Sequence, residues 1–203
     1  LTLIIAPLQD LVSMPEFSSS VKNKLSLIFS NAQRLLLLVN QLMDLRKNQE
    51  GKLKLHIAKT DMNLFLQEIY YAFNHLAAKK SIEFTFEKSE ERMSAWFDKS
   101  IVEKVVFNLL SNAMKFTPNN GKVVFSLSRC TFAELPSEQQ AELNKMPADI
   151  RFACLSVTDS GKGITEEDMK NIFAPFYQGE DDNKENVGTG IGLSLTRSIV
   201  LLH

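Results

Sequence analysis

Gly188-Thr189-Gly190-Ile191-Gly192 opens directly into an apolar helical pattern, and it is the densest part of a cluster in which six of the eight glycines fall between residues 161 and 192. Glycine serves where the backbone must approach a ligand closely or take positive φ, and free N–H groups at a helix start cradle phosphate. The pattern therefore suggests a nucleotide, although an ordinary capped helix start reads the same way. GxxxxGK[ST] does not occur, which excludes a P-loop. GTGIGL carries Leu193 where GxGxxG needs its third glycine, and it follows a polar loop instead of a strand, which removes the dinucleotide reading.

Two further stretches bear on the same chemistry. DSGKGI at 159–164 follows a strong strand pattern, placing Asp159 at the strand's C-terminal end with Gly161 and Gly163 beside it. A carboxylate accepts from the exocyclic amine of adenine and repels the carbonyl that guanine has at the equivalent position, so the combination favours ATP over GTP. A DxGxG run also fits a simple turn with an Asx cap. FNLLSNAMKF at 107–116 sets Asn108 and Asn112 one turn apart in an otherwise apolar helical run. A mid-helix Asn can point to water or bond to the preceding turn, so the pair needs the rest of the chain to explain it.

Composition narrows the remaining classes. The chain has 203 residues, 44% of them hydrophobic and 23% charged, enough for a domain with a real core plus a smaller element. A formal net charge of −1 provides no basic footprint for phosphate-backbone binding, so no direct nucleic-acid partner is expected. Cys130 and Cys154 are too far apart for a CxxC motif and too few to staple a secreted mini-fold, which points to reduced thiols in a cytoplasmic setting. Apolar runs such as Leu35 to Val39 fall far short of the roughly 20 residues of a membrane span. LTLIIAPLQDL lacks a basic n-region and contains Pro7, so it does not read as a signal peptide, and any membrane attachment is expected through regions outside this chain.

The elements that must hold these residues follow from periodicity. Leu25, Ile28, Ala32, Leu35, Val39 and Leu42 form an a/d seam widened by Phe29, Leu36 and Met43, and Leu1, Ile4, Leu8 and Leu11 repeat the spacing before a break at MPEFSSS, 14–20. Two antiparallel helices with faces this wide cannot cover themselves; a four-helix bundle of two chains would do so, as would packing on the second domain. The pattern changes near Gly51. Asp61 is the expected N-cap of a helix over about 62–78, with Met62, Phe65, Leu66, Ile69, Phe73 and Leu76 buried. Strands are expected at 82–87, 94–97, 122–128 and 151–159, with a turn at Pro118 to Gly121. Ser100 and Glu103 read as a capping box for the asparagine helix. Residues 129–150 read as an extended hairpin, Thr165 as the cap of a short helix, and a last helix starts near Ile191.

At this point the order of motifs resembles a known family. NLLSNAMKFTP at 108–118, DSGKGI at 159–164, IFAPFYQG at 172–179 and GTGIGLSL at 188–195 are similar to the N, G1, F and G2 boxes of sensor histidine kinases, and LTLIIAPLQDL resembles the stretch just after that family's phosphoacceptor box. The phrase LTLIIAPL is similar to hybrid two-component sensors of Bacteroides-type bacteria. The resemblance implies an α+β chain: a two-helix hairpin over 1–50, a four-helix bundle as a homodimer, then an α/β sandwich of the gyrase–chaperone–histidine-kinase ATP-binding type over 51–203. It implies ATP and Mg²⁺ as cofactors. Asn112 matches the Mg²⁺ ligand, an amide oxygen suiting a hard cation, while Asn108 and Lys115 match catalytic positions near the phosphates. Asp159 matches the adenine-reading carboxylate, with Gly161, Gly163 and Ile164 beside it. Phe173 and Phe176 match the F box at the base of a lid over 177–187, and Gly188, Thr189, Gly190, Gly192 and Leu193 the turn that meets the phosphates. The phenylalanines also fit plain core, and Lys115 a solvated helix end.

The same resemblance implies transfer of the ATP γ-phosphate to a histidine, then to the aspartate of a response-regulator receiver domain, in cis or in trans. The acceptor histidine is expected upstream of Leu1, because His56, His75 and His203 all fall outside its motif, and the chain is expected to be truncated at its C-terminus as well. In hydrolysing members of the superfamily a Glu stands where this chain has Asn108; an amide cannot act as a general base at neutral pH. The lid segment GEDDNKENVGTG has Lys184 as its one cation, which departs from a lid with a basic clamp on the γ-phosphate. An ATPase clamp of the same superfamily and a pseudokinase scaffold are the rival readings. The expected location is the cytoplasmic portion of a membrane-anchored receptor.

Overall fold

The computed structural model describes residues 2–14, 17–51, 53–88, 92–135, 140, 151–179 and 189–202. The contacts divide into two compact units, Leu1–Leu53 with Ile172–Ser198, and Lys54–Asn171 with Ile199–His203.

In the first unit, α1 (Thr2–Ser13) and α2 (Ser19–Gln49) pack on one another as a helical hairpin. The break comes where expected. The seam positions Leu25 and Ala32 are half-buried, whereas Ile28, Leu35, Val39, Leu42 and Met43 are exposed, so α1 covers only part of the stripe on α2. Among the described residues no helix is long and apolar enough to cross a membrane.

The second unit holds the sheet and its core. β1 (Ala58–Asp61) pairs antiparallel with β3 (Ser94–Phe97), while β2 (Glu83–Lys88), β4 (Lys122–Thr131) and β5 (Arg151–Asp159) form a mixed sheet in the order β2-β4-β5, parallel then antiparallel. β1 is not expected from the sequence: AKTD has only four residues and no apolar alternation, and pairing with SAWF is what makes it a strand. β2 also starts one residue later than expected, because Ile82 turns into the core before the ladder begins at Glu83.

Helix α3 (Met62–Lys79) is capped by Asp61, whose carboxylate accepts from the Leu64 N–H at 3.2 Å. Its buried face is Met62, Phe65, Leu66, Ile69, Phe73 and Ala77. Leu76, expected in that row, is exposed, since the i, i+4 row from Ile69 through Phe73 continues to Ala77. Helix α4 (Lys99–Phe116) is not capped by the Ser100–Glu103 box. Asp98 is the N-cap, accepting from the N–H groups of Ser100 (2.9 Å) and Ile101 (3.3 Å) and from the Ser100 hydroxyl (2.8 Å). The reciprocal box appears instead at Thr131 and Glu134, starting the 3₁₀ turn Phe132–Glu134.

The core lies between α3 and α4 and the inner face of the mixed sheet, with Val123 and Phe125 fully enclosed. β4 alternates with period two, so Val124, Ser126, Ser128 and Cys130 share the outer face, where Ser126 and Ser156 hydroxyls meet at 2.7 Å. Cys130 lies opposite Phe152 and Ser128 opposite Cys154, which sets the two free thiols on one face of neighbouring strands. The β4–β5 ladder takes in Arg129, Cys130 and Thr131 of the expected hairpin 129–150 and ends at Thr131 and Arg151; residues 136–139 and 141–150 of that stretch lie outside the described ones. Helix α5 (Glu166–Asn171) begins at Thr165, whose hydroxyl accepts from the Asp168 N–H at 3.1 Å, and α6 spans Gly192–Leu202.

Candidate functional site

The residues singled out by the sequence fall into two groups, one in each unit. In the second unit α4 carries Val106, Leu110, Ala113 and Met114 into the core. Asn108, Asn112 and Lys115, at i, i+4 and i+7, form a separate half-buried row on the same helix. The C-terminal end of this helix is tied down. Lys80 donates from Nζ to the Met114 carbonyl at 2.7 Å, satisfying an end carbonyl with a cation, and Thr117 Oγ1 donates to the Ala113 carbonyl at 2.7 Å. Lys80 has no signal in the sequence for this role; the two residues meet across 34 positions.

β5 delivers Asp159 at its end, opposite Val123, and leaves it exposed. One carboxylate oxygen accepts from the Gly161 N–H at 2.8 Å, so the Asx turn is present. A carboxylate has acceptor capacity beyond that one bond, and the turn holds it in place. Gly161 is confined: a Cβ there would lie 2.7 Å from the Phe116 carbonyl oxygen and 2.6 Å from Asp159 Oδ1. The Asp159 turn and the end of the asparagine helix are thus in contact, and only glycine permits the approach. Gly163 has φ +73° with open space around it, so the requirement there is conformational. Ile164 is exposed.

Two ammonium groups gather on this edge. Lys115 Nζ lies 4.4 Å and Lys162 Nζ 5.8 Å from the centroid of the Phe116 ring. Lys162 stands inside DSGKGI as its one cation, a signal available in the sequence but not read from it. At the other end of α4, Asp98 is enclosed. Burial penalises its charged form, but the His56 N–H at 2.7 Å and the Ser100 and Ile101 donors outweigh that penalty and hold the carboxyl below its ordinary value.

In the first unit the F and G2 residues are joined backbone to backbone. Phe176, at φ +66°, donates its N–H to the Gly190 carbonyl at 2.8 Å. A Cβ on Gly190, itself at φ +70°, would come within 2.6 Å of Phe176 backbone. Phe173 and Phe176 are exposed, which sets aside the plain-core reading. The Arg197 guanidinium lies 5.8 Å from the Phe173 ring centroid. Thr189 Oγ1 accepts from the Ile191 N–H at 3.3 Å at the entry to α6, and it donates to Gln41 Oε1 on α2 at 2.9 Å. Gly192 and Leu193 form the half-buried first residues of that helix. Gly188 and the acidic segment at 180–187 lie outside the described residues. Among the described residues no three His, Cys, Asp or Glu side chains gather as a metal cage.

Comparison with known proteins follows the same lines. Residues 97–203 match the family described as histidine kinase-, DNA gyrase B-, and HSP90-like ATPase. Histidine kinase P4 of Formosa agariphila is 32% identical over 207 aligned residues, covering all of this chain and 14% of the relative. Hybrid signal transduction histidine kinase D of Dictyostelium discoideum is 30% identical, again covering all of this chain and 12% of the relative. The chain therefore spans only 14% and 12% of the length of these two relatives. Among solved structures, the catalytic domain of histidine kinase ThkA superposes with a TM-score of 0.53 at 27% identity, covering 71% of this chain and 81% of that one. ThkA in complex with the response regulator TrrA has the same fold, with a TM-score of 0.54 at 22% identity over 86% of this chain and 45% of that one. With the Asp159 turn set against the C-terminal end of α4 in the α/β unit, the chain belongs to the histidine kinase-, DNA gyrase B- and HSP90-like ATPase family, its residues 97–203 being the ATPase domain of a two-component sensor histidine kinase.

Proposed function

We propose that this chain binds Mg²⁺–ATP and donates the γ-phosphate to a histidine upstream of residue 1, from which it passes to the aspartate of a response-regulator receiver, within the same protein or in another. The observation that carries the reading is the contact at Gly161, where the turn presenting Asp159 closes on the end of the helix bearing Asn108, Asn112 and Lys115. Residues 1–50 act as the dimerisation and phosphotransfer hairpin and 51–203 as the catalytic domain, and the exposed seam on α2 supports a second copy as partner. The TrrA complex of ThkA supports a receiver as the next partner in the relay. Attachment to a membrane lies in other parts of the longer protein.

Within the site Asp159 accepts from the adenine amine and rejects guanine. Gly161 and Gly163, with Ile164, bring backbone to the base, and Phe173 and Phe176 border the nucleotide from the F box. Thr189, Gly190, Gly192 and Leu193, together with Gly188, receive the phosphates at the start of α6. Lys115 neutralises phosphate charge. The half-buried amide of Asn112 offers one neutral oxygen, a donor that fits an ion whose other ligands are phosphate oxygens and waters. Mg²⁺ supplies charge neutralisation at the transferring phosphoryl group. Asn108 supports the phosphate region without activating water, so hydrolysis is slow and the phosphoryl group is kept for an imidazole.

Titration calorimetry tests this. Asp159→Asn should weaken ATP binding by about 1–3 kcal/mol, the scale of a charge-assisted hydrogen bond, and Asn112→Ala should remove the Mg²⁺-dependent part of the affinity. Equal affinity for ATP and GTP would sink the adenine assignment, and brisk hydrolysis by the wild-type chain would sink the role given to Asn108.

A further inference from the structure

The hydrogen bond between Thr189 and Gln41 joins the phosphate-receiving turn to the helical hairpin across 148 residues. A threonine hydroxyl has one proton and two lone pairs. Here the proton goes to Gln41 Oε1 and one lone pair takes the Ile191 N–H. A phosphate oxygen at neutral pH is an acceptor and needs a donor, so while Gln41 holds that proton Thr189 has none to give. Gln41 also lies off the exposed seam. Leu38, Gln41 and Leu45, at i, i+3 and i+7, form a covered row in which Leu45 is 6% exposed, whereas Val39 and Leu42 on the seam are open.

We infer that Gln41 is a positioning residue for the kinase reaction: it latches the Thr189 hydroxyl onto α2 in competition with the nucleotide phosphates, so that breaking the Gln41 hydrogen bond frees the hydroxyl for ATP. This rests on the ATP-binding reading above. Because the latch and the nucleotide draw on one proton, each weakens the other by the same factor, and a movement of the hairpin reaches the ATP turn without any change in the residues that contact adenine. Both ends of the coupling are named side chains, so the idea is open to a double-mutant cycle.

The experiment measures Mg²⁺–ATP affinity by calorimetry for the whole chain, for Gln41→Leu, for Thr189→Val and for the double variant, with amide hydrogen exchange over 189–193 recorded without nucleotide. Gln41→Leu should bind ATP about three- to tenfold more tightly, the range expected for release of one competing hydrogen bond, and should speed exchange. Gln41→Glu keeps an acceptor in place and should hold exchange slow. In the Thr189→Val background the Gln41→Leu gain should shrink below about twofold. An unchanged or weaker affinity in Gln41→Leu, an equal gain without the hydroxyl, or exchange that ignores the substitution overturns the latch. A wild-type chain that fails to bind ATP while Gln41→Leu still speeds exchange overturns the site reading, and with it the nucleotide competition.

Discussion

The α/β unit and the helical hairpin use apolar side chains in opposite ways. In the α/β unit, rings pack against rings inside one chain: Phe65 with Phe97 at 5.3 Å, Phe73 with Phe107 at 5.1 Å, Tyr70 with Phe84 at 4.8 Å, and Phe86 stacked on Phe125 at 4.9 Å. In the hairpin, Ile28, Leu35, Val39 and Leu42, which share the seam face of α2, are all exposed. A contiguous apolar stripe of that kind marks an interaction surface. The α/β unit closes its apolar face within the chain, while the hairpin leaves a seam open for the proposed dimer, and substitutions should separate the two by what they disturb.

The largest effect is expected inside the α/β core. Phe125→Ala removes a ring with no exposed area and should cost about 3–5 kcal/mol in denaturant unfolding, taking ATP binding with it. Next comes the seam: Leu35→Lys buries an unpaired charge in the proposed dimer and should convert it to monomer in sedimentation, at a cost of about 3–5 kcal/mol to association, while the ATP affinity of the monomer persists. A dimer that survives this change would break the contrast. A smaller effect belongs to Asp98. Its folded pKa lies below the ordinary 3.8, so its contribution is present above that value and is lost as pH falls through the lower folded value. Asp98→Asn keeps a capping oxygen but loses the charge its donors favour, so it should cost about 1–2 kcal/mol at neutral pH, and the gap between variant and wild type in urea midpoints should close as the medium is acidified. The smallest is the exposed pair of Arg46 on α2 and Glu50 just past its end, at 3.0 Å: Glu50→Gln should change stability by no more than about 0.5 kcal/mol, lost in high salt.

Local chemistry made much of this legible in advance. Asp61 before an apolar i, i+4 row specifies a capped helix wherever the chain goes, and KVVFSLS alternates with a period that only a half-buried strand satisfies. The glycines of the site were readable for the same reason, since Gly161 and Gly190 mark close approach and Gly163 and Gly190 mark positive φ. Where local chemistry offered two solutions the reading failed. Ser100 and Asp98 both suit an N-cap, and Asp98 prevails because the distant His56 N–H gives its second oxygen a partner. AKTD becomes β1 only because SAWF lies beside it.

The sequence by itself determined the family, the order of the elements other than β1, and the buried face of α3 up to Phe73, because periodicity, capping and glycine placement act over a few residues. Tertiary structure alone decided which distant groups share an atom: Lys80 on the carbonyl of Met114, the carbonyl of Phe116 against Gly161, Cys130 and Cys154 on one sheet face, and Gln41 on the proton of Thr189. Such pairings depend on strand register and helix packing, which are set by the whole core rather than by the residues that meet.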